Sequence, residues 1–102
     1  MNPIQLKLDD QKRGAFVIVE GDVRLAEMVI AISGQRLIVY HTEVSEKLRG
    51  EGIAAKLLDQ MVAYARSNAL KVVPLCPYVL VQFKRHAEEY KDIWDQNWKQ
   101  AM

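Results

Sequence analysis

Short apolar and alternating runs broken by polar turns make the first 44 positions read as strands, and the period then becomes helical. Ile4, Leu6 and Leu8 alternate with Gln5 and Lys7, as in a strand with one buried face. Residues 9–14 (Asp-Asp-Gln-Lys-Arg-Gly) form a polar break. Residues 15–19 follow, rich in β-branched side chains, and Gly21-Asp22 supplies a tight turn. A longer run from Val23 to Ile32 ends at Ser33-Gly34, and Leu37 to Val44 reads as a fourth strand. Connections this short predict an antiparallel meander.

Ile53, Leu57, Leu58, Met61, Val62 and Ala65 then recur on one side of a 3.6-residue period. The spacing predicts a helix from about Glu51 to about Ser67, ending near Asn68, a residue that tolerates the left-handed conformation. Lys71 to Leu75 reads as a fifth, short strand. Strand, helix and strand in that order make a crossover, so the fourth and fifth strands are expected to run parallel. Tyr78, Val79, Phe83 and His86 suggest a second helix after Pro77, and Tyr90, Ile93, Trp94 and Trp98 fit a third helical segment. The expected class is α/β in the α+β sense: a mixed, mostly antiparallel five-stranded sheet, one long helix and shorter C-terminal helices.

Composition narrows the function classes. A length of 102 residues suits one small domain spanning 1–102, and a 50% hydrophobic content is enough for a packed core. The net charge of +1 gives no field that would recruit nucleic acid or an anionic membrane. No run approaches the ~18 apolar residues of a membrane span, and the first residues lack the apolar stretch of a secretion signal. The single cysteine, Cys76, suits a reducing compartment, so a cytoplasmic protein is expected. His41, His86 and Cys76 have no metal-ligand spacing.

Candidate chemistry gathers at the start of the long helix. Helix N-termini carry unpartnered N–H groups and the positive end of the dipole, and glycines allow close backbone approach. Arg49, Gly50, Glu51, Gly52, Ile53 and Ala54 combine these features with a permanent positive charge, and a diphosphate is the natural guest. The plain alternative is that Gly50 and Gly52 only shape a strand-to-helix turn. No Gly-Lys-Ser/Thr follows, so the loop is not a Walker phosphate loop, and it lacks the third glycine of the dinucleotide fingerprint.

The same six residues resemble the Arg-x-x-Gly-x-Gly/Ala signature of the GNAT N-acetyltransferases. The longer set, residues 41–44, 48–53 and 71–78, is similar to the minimal YjdJ-like branch of that superfamily. The resemblance implies a GNAT-like fold whose fourth and fifth strands splay apart to admit the pantetheine arm of acetyl-CoA or coenzyme A. Glu43 and Val44 would then line that arm, and residues Arg49 to Ala54 would surround the diphosphate. Larger relatives carry two helices between their first strands that wall the acceptor site. Only residues 9–14 stand there in this sequence, which implies an acceptor site that is shallow, shared with a partner or built by oligomerisation.

Two residues are candidates for the transfer itself. His41 lies on the fourth strand, on the side of Val39 and Glu43 by alternation, and a histidine is suited to take a proton from an amine. Cys76, between Pro74-Leu75 and Pro77, can act as a nucleophile in a two-step route or simply line the pocket. Parallel fourth and fifth strands would carry both to one end of the sheet. The alternatives are a structural histidine and a buried apolar thiol. The resemblance also implies that Tyr78 protonates the departing thiolate, as tyrosines near this place do in larger relatives; the plain alternative is a core or rim aromatic. Lys84, Arg85 and His86 read as a solvated helix face, as do Glu88, Glu89 and Asp92, while Trp94 and Trp98 read as a packing stripe. The reading is acetyl-CoA-dependent transfer to an amine, small-molecule or protein, by a monomer or homodimer without nucleic-acid or membrane partners. Its rival is a CoA- or acyl-CoA-binding module without transferase activity.

Overall fold

The strand-like runs in the first half of the chain become four consecutive strands in a computed structural model, which describes residues 2–97. They are β1 (Gln5–Leu8), β2 (Arg13–Glu20), β3 (Val23–Ser33) and β4 (Arg36–Val44). Helix α1 (Ile53–Ser67) crosses over to β5 (Lys71–Pro74), and the short helices α2 (Pro77–Arg85) and α3 (Ala87–Tyr90) follow. The sheet order is β1-β2-β3-β4-β5, antiparallel throughout except for the parallel β4–β5 pair. The meander and the crossover are as the spacing predicts.

One face of the sheet carries the core. Phe16, Ile18, Met28, Ile30, Leu37, Val39 and Val72 pack there against Leu57, Met61 and Ala65 of α1 and Val79 and Phe83 of α2. The buried residues of all three described helices belong to this one cluster. Ala15, Val17, Ala31 and Val73 are buried but lie outside it, on the opposite face. Among the described residues, therefore, no helix buries a side chain on the second face, which also bears Val29, Ile38 and His41. The crossover puts α1 on one side, and α2 and α3 return to that same side. Arg66 of α1 fastens them by donating to Asp92 at 3.0 Å and to the Glu89 carbonyl at 2.8 Å.

Three details differ from expectation. Helix α1 begins at Ile53, with Gly52 as its N-cap, so Glu51 stays in the loop. At its other end Asn68 has φ of −109°, and the left-handed residue is Ala69, with φ of 54°. Leu70 N–H donates to the Ala65 carbonyl and Ala69 N–H to that of Arg66, the pair of bonds that closes a helix through a left-handed residue. The Asn68 amide instead donates to the Tyr64 carbonyl. The third helical segment is shorter than its aromatic spacing suggests. It ends at Tyr90, Trp94 pairs with Val72 as a parallel bridge, and Trp98 lies outside the described residues. Phe83 collects these aromatics, stacking on Tyr90 at 4.7 Å and meeting Trp94 at 5.7 Å. No described helix is long and apolar enough to cross a membrane.

Candidate active site at the parting of two strands

The site begins with a mismatch in strand length. β4 pairs with β3 as far as Val44, but with β5 only from Arg36 to Val39. Pro74, opposite Val39, has no N–H to continue the ladder. The next contact is from the Cys76 N–H to the Val39 carbonyl at 2.9 Å. A bulge falls at the same level: Val29 faces His41 and Ile30 faces Val39, which leaves Tyr40 as the extra residue. From residue 40 to 44 the β5-side edge of β4 has no strand partner among the described residues. Such an edge offers N–H and C=O groups to any extended amide-bearing chain.

Beyond Val44 the chain is turned tightly toward α1. Ser45 donates its N–H to the Leu25 carbonyl, and its hydroxyl accepts from the Lys47 N–H, starting a short 3₁₀ turn over Glu46–Leu48. Gly50 and Gly52 have φ of 86° and 67°, left-handed values that a side chain resists. Nothing in the protein lies within 4 Å of where their Cβ atoms would stand, so these glycines shape the loop and keep open space beside it. The first bond of α1 runs from the Lys56 N–H to the Gly52 carbonyl. The N–H groups of Ile53, Ala54 and Ala55 precede that bond, no side chain caps them, and the first turn holds no acidic residue.

A cavity of about 350 Å³ joins these parts, lined by Val44, Ser45, Leu48, the Arg49–Gly50 segment, the start of α1 and Tyr78 of α2. Uncapped amides beside an arginine suit a diphosphate, and the open strand edge leading away from them suits an extended arm with its own amides. The residues present thus fit the coenzyme that the sequence implies. Arg49 is 79% exposed and lies 3.6 Å from Glu46. Burial raises the Tyr78 phenol above its usual range, helped by Asp59 and Cys76, so it keeps its proton at neutral pH.

Cys76 caps the start of α2 and is buried, on the helix-covered side of the sheet. Its Sγ lies 3.4 Å from the Thr42 hydroxyl, at the open edge of β4. His41 is brought to the same end of the sheet but to the other face. The bulge at Tyr40 breaks strict alternation, so His41 shares its side with Val29 and Glu43 and not with Val39. The expected grouping of His41 with Val39 is corrected on that ground. His41 Nε2 lies 3.2 Å from Glu27 Oε2, and Arg24 Nη1 donates to Glu27 Oε1 at 3.3 Å. Glu43 faces Glu27 across the ladder, and both line a smaller cavity of about 170 Å³ next to Val44 and Ser45.

The expected coenzyme residues therefore divide. Val44, Arg49, Gly50, Gly52, Ile53 and Ala54 line the larger cavity, Glu43 lines the neighbouring one, and Glu51 is exposed in the loop. Lys84, Arg85 and His86 are exposed. Thr42 and Glu27 were not legible from the chain alone. Thr42 follows His41 directly, and only the bulge turns it toward Cys76. Glu27 sits in a long strand whose partner register is set by two bulges.

Comparison with known proteins identifies the family and the fold. A family model of the GCN5-related N-acetyl-transferases matches residues 15–93. The solution structure of a GCN5-like protein from Staphylococcus aureus is 27% identical, covering 93% of this chain and 91% of that one, with a TM-score of 0.69. The crystal structure of an acetyltransferase from Vibrio fischeri shares the fold at 16% identity and a TM-score of 0.50, covering 66% of this chain and 63% of that one. No curated protein matches significantly. With a family model spanning residues 15–93, the chain belongs to the GCN5-related N-acetyltransferase family and is an acyltransferase.

Proposed function

We propose that the protein moves an acetyl group from acetyl-CoA to an amine across the gap between β4 and β5. One observation carries the reading: the β4 edge, without a strand partner among the described residues, ends at Val44 in the cavity that the uncapped start of α1 also lines. The amides of Ile53, Ala54 and Ala55, with Arg49, hold the diphosphate, and the edge of residues 40–44 holds the pantetheine arm. Acetyl-CoA, when bound, supplies a thioester whose C–S bond is exchanged for a C–N bond, the amine giving up one proton in the process.

The acceptor approaches from the face that no described helix covers, where His41 stands half exposed. His41 takes a proton from the acceptor ammonium, which frees the nitrogen lone pair for attack. Tyr78, protonated and on the cavity wall, is placed to return a proton to the leaving sulfur. Cys76 and Thr42 meet at 3.4 Å beside the open edge of β4. A covalent route is a second reading, favoured by the thiol lying at the open end of β4. It lacks a base, because the partner of Cys76 is a hydroxyl and His41 is on the other face.

Mass spectrometry of protein, acetyl-CoA and a panel of primary amines tests the reading. Acetylated amine that forms only with the protein present is expected, and free CoA should appear with it in equal amount. Binding of acetyl-CoA with no acetylation of any amine would contradict it.

A further inference from the structure

The second face of the sheet holds a chain of three polar groups, none of which lines the larger cavity. Arg24 Nη1 lies 3.3 Å from Glu27 Oε1, and Glu27 Oε2 lies 3.2 Å from His41 Nε2. The Glu27 side chain is 23% exposed and the other two are 50% exposed, so the carboxylate is the sheltered middle member. Its position follows from the ladder. Glu27 faces Glu43 and Val29 faces His41, so Glu27 and His41 are diagonal neighbours on one face. The bulge at Tyr40 makes this possible, since strict alternation from Val39 would send His41 into the helix-covered core.

We infer that Glu27 is a positioning residue for His41, and that Arg24 fixes Glu27 in turn. The inference rests on His41 being the base proposed above. An ionised carboxylate only accepts hydrogen bonds, so the neutral imidazole must donate through Nε2–H. The lone pair then sits on Nδ1, which becomes the atom that takes the acceptor's proton. When Nδ1 is protonated the ring becomes a cation, and the carboxylate already beside it offsets that charge without rearrangement. Arg24 occupies the other carboxylate oxygen and so keeps Glu27 from rotating away. The pattern is base plus orienting group, as in other sites where a carboxylate sets the tautomer of a histidine.

Two measurements test this. The first needs no turnover: long-range ¹H–¹⁵N correlation on histidine-labelled protein reads the tautomer of His41. Glu27 holding Nε2–H predicts an unprotonated Nδ1 in the neutral ring, and movement toward the mixed tautomers of a free side chain in Glu27→Ala. A protonated Nδ1 in the natural protein, or an identical spectrum in Glu27→Ala, overturns the assignment. The second measures CoA release with two small acceptors, n-propylamine, which must lose a proton, and hydroxylamine, which is already neutral at neutral pH. Glu27→Ala should lower kcat with propylamine by about tenfold, a fraction of the ~10²–10⁴ of a general base. The hydroxylamine rate and the KM for acetyl-CoA should stay within about twofold. In a His41→Ala background, Glu27→Ala should then cost nothing more, because its effect acts through the ring. Additive losses, or no turnover of either acceptor by the natural protein, overturn the inference. If His41→Ala itself leaves propylamine turnover intact, the base assignment fails first. If His41→Ala is damaging and Glu27→Ala is not, the role of Glu27 alone fails.

Discussion

The Thr42 hydroxyl touches the Cys76 thiol at 3.4 Å, across the point where β4 and β5 part. This contact, and not one between Cys76 and His41, is what the bulged strand delivers. Direct transfer follows as the expected route. Cys76→Ala should keep turnover within about threefold while losing about 1 kcal/mol of stability, as for one small buried group removed. His41→Ala should cost at least ~10²-fold. An acetyl group found on Cys76 before any acceptor is added, together with collapse of turnover in Cys76→Ala, would shift the account to the covalent route.

Gly52 is the second test position. A Cβ there meets open space, so a larger residue is resisted by backbone strain and by whatever occupies the cavity. Gly52→Val should lower stability by about 1–2 kcal/mol, because φ of 67° is left-handed. Circular dichroism should still report the native fold, while calorimetry should show CoA binding abolished. Retained binding would place the diphosphate elsewhere.

Arg49 and Glu46 predict changes of opposite sign. Their side chains are 79% and 88% exposed, so solvent screens both. Arg49→Ala should weaken CoA by about 1 kcal/mol, roughly fivefold in Kd, and should weaken a pantetheine fragment less. Glu46→Ala removes a negative charge near the phosphates and should tighten CoA at low salt. Equal losses for CoA and pantetheine would remove Arg49 from the diphosphate.

Ala69 offers a check on the fold alone. It adopts φ of 54° after α1, between a Leu70–Ala65 bond and an Ala69–Arg66 bond that close the helix. Glycine takes this conformation without steric cost, so Ala69→Gly should raise stability by about 1 kcal/mol in urea denaturation. No change in CoA affinity is expected.

Strand order, crossover and the long helix were legible because each rests on periodicity within a few neighbouring residues. The glycine loop was legible for a similar reason, since Gly50 and Gly52 stand just before a clear amphipathic run. What escaped depends on pairing across the sheet. Alternation counts residues along one strand, whereas a bulge is set by the partner strand, so the side of His41 was misread at Tyr40. Glu27, fifteen residues before Thr42 in the chain, comes into the site only through the β3–β4 register. The helix ends at Ser67 with Asn68 as its cap, as expected, but the left-handed residue comes one position later for a local reason. Asn68 uses its amide on the Tyr64 carbonyl and leaves the left-handed position to Ala69.

The central claim is that the open edge of β4 and the uncapped start of α1 form one coenzyme site. Titrating ¹⁵N-labelled protein with CoA and following the backbone amides tests it most directly. The account predicts one saturable event, with the largest shifts at Val44, Gly50, Gly52, Ile53 and Ala54, which line the cavity. Unchanged amides at those positions, or the largest shifts around Leu75, Leu80 and Lys84 beside the other edge of β5, would contradict it.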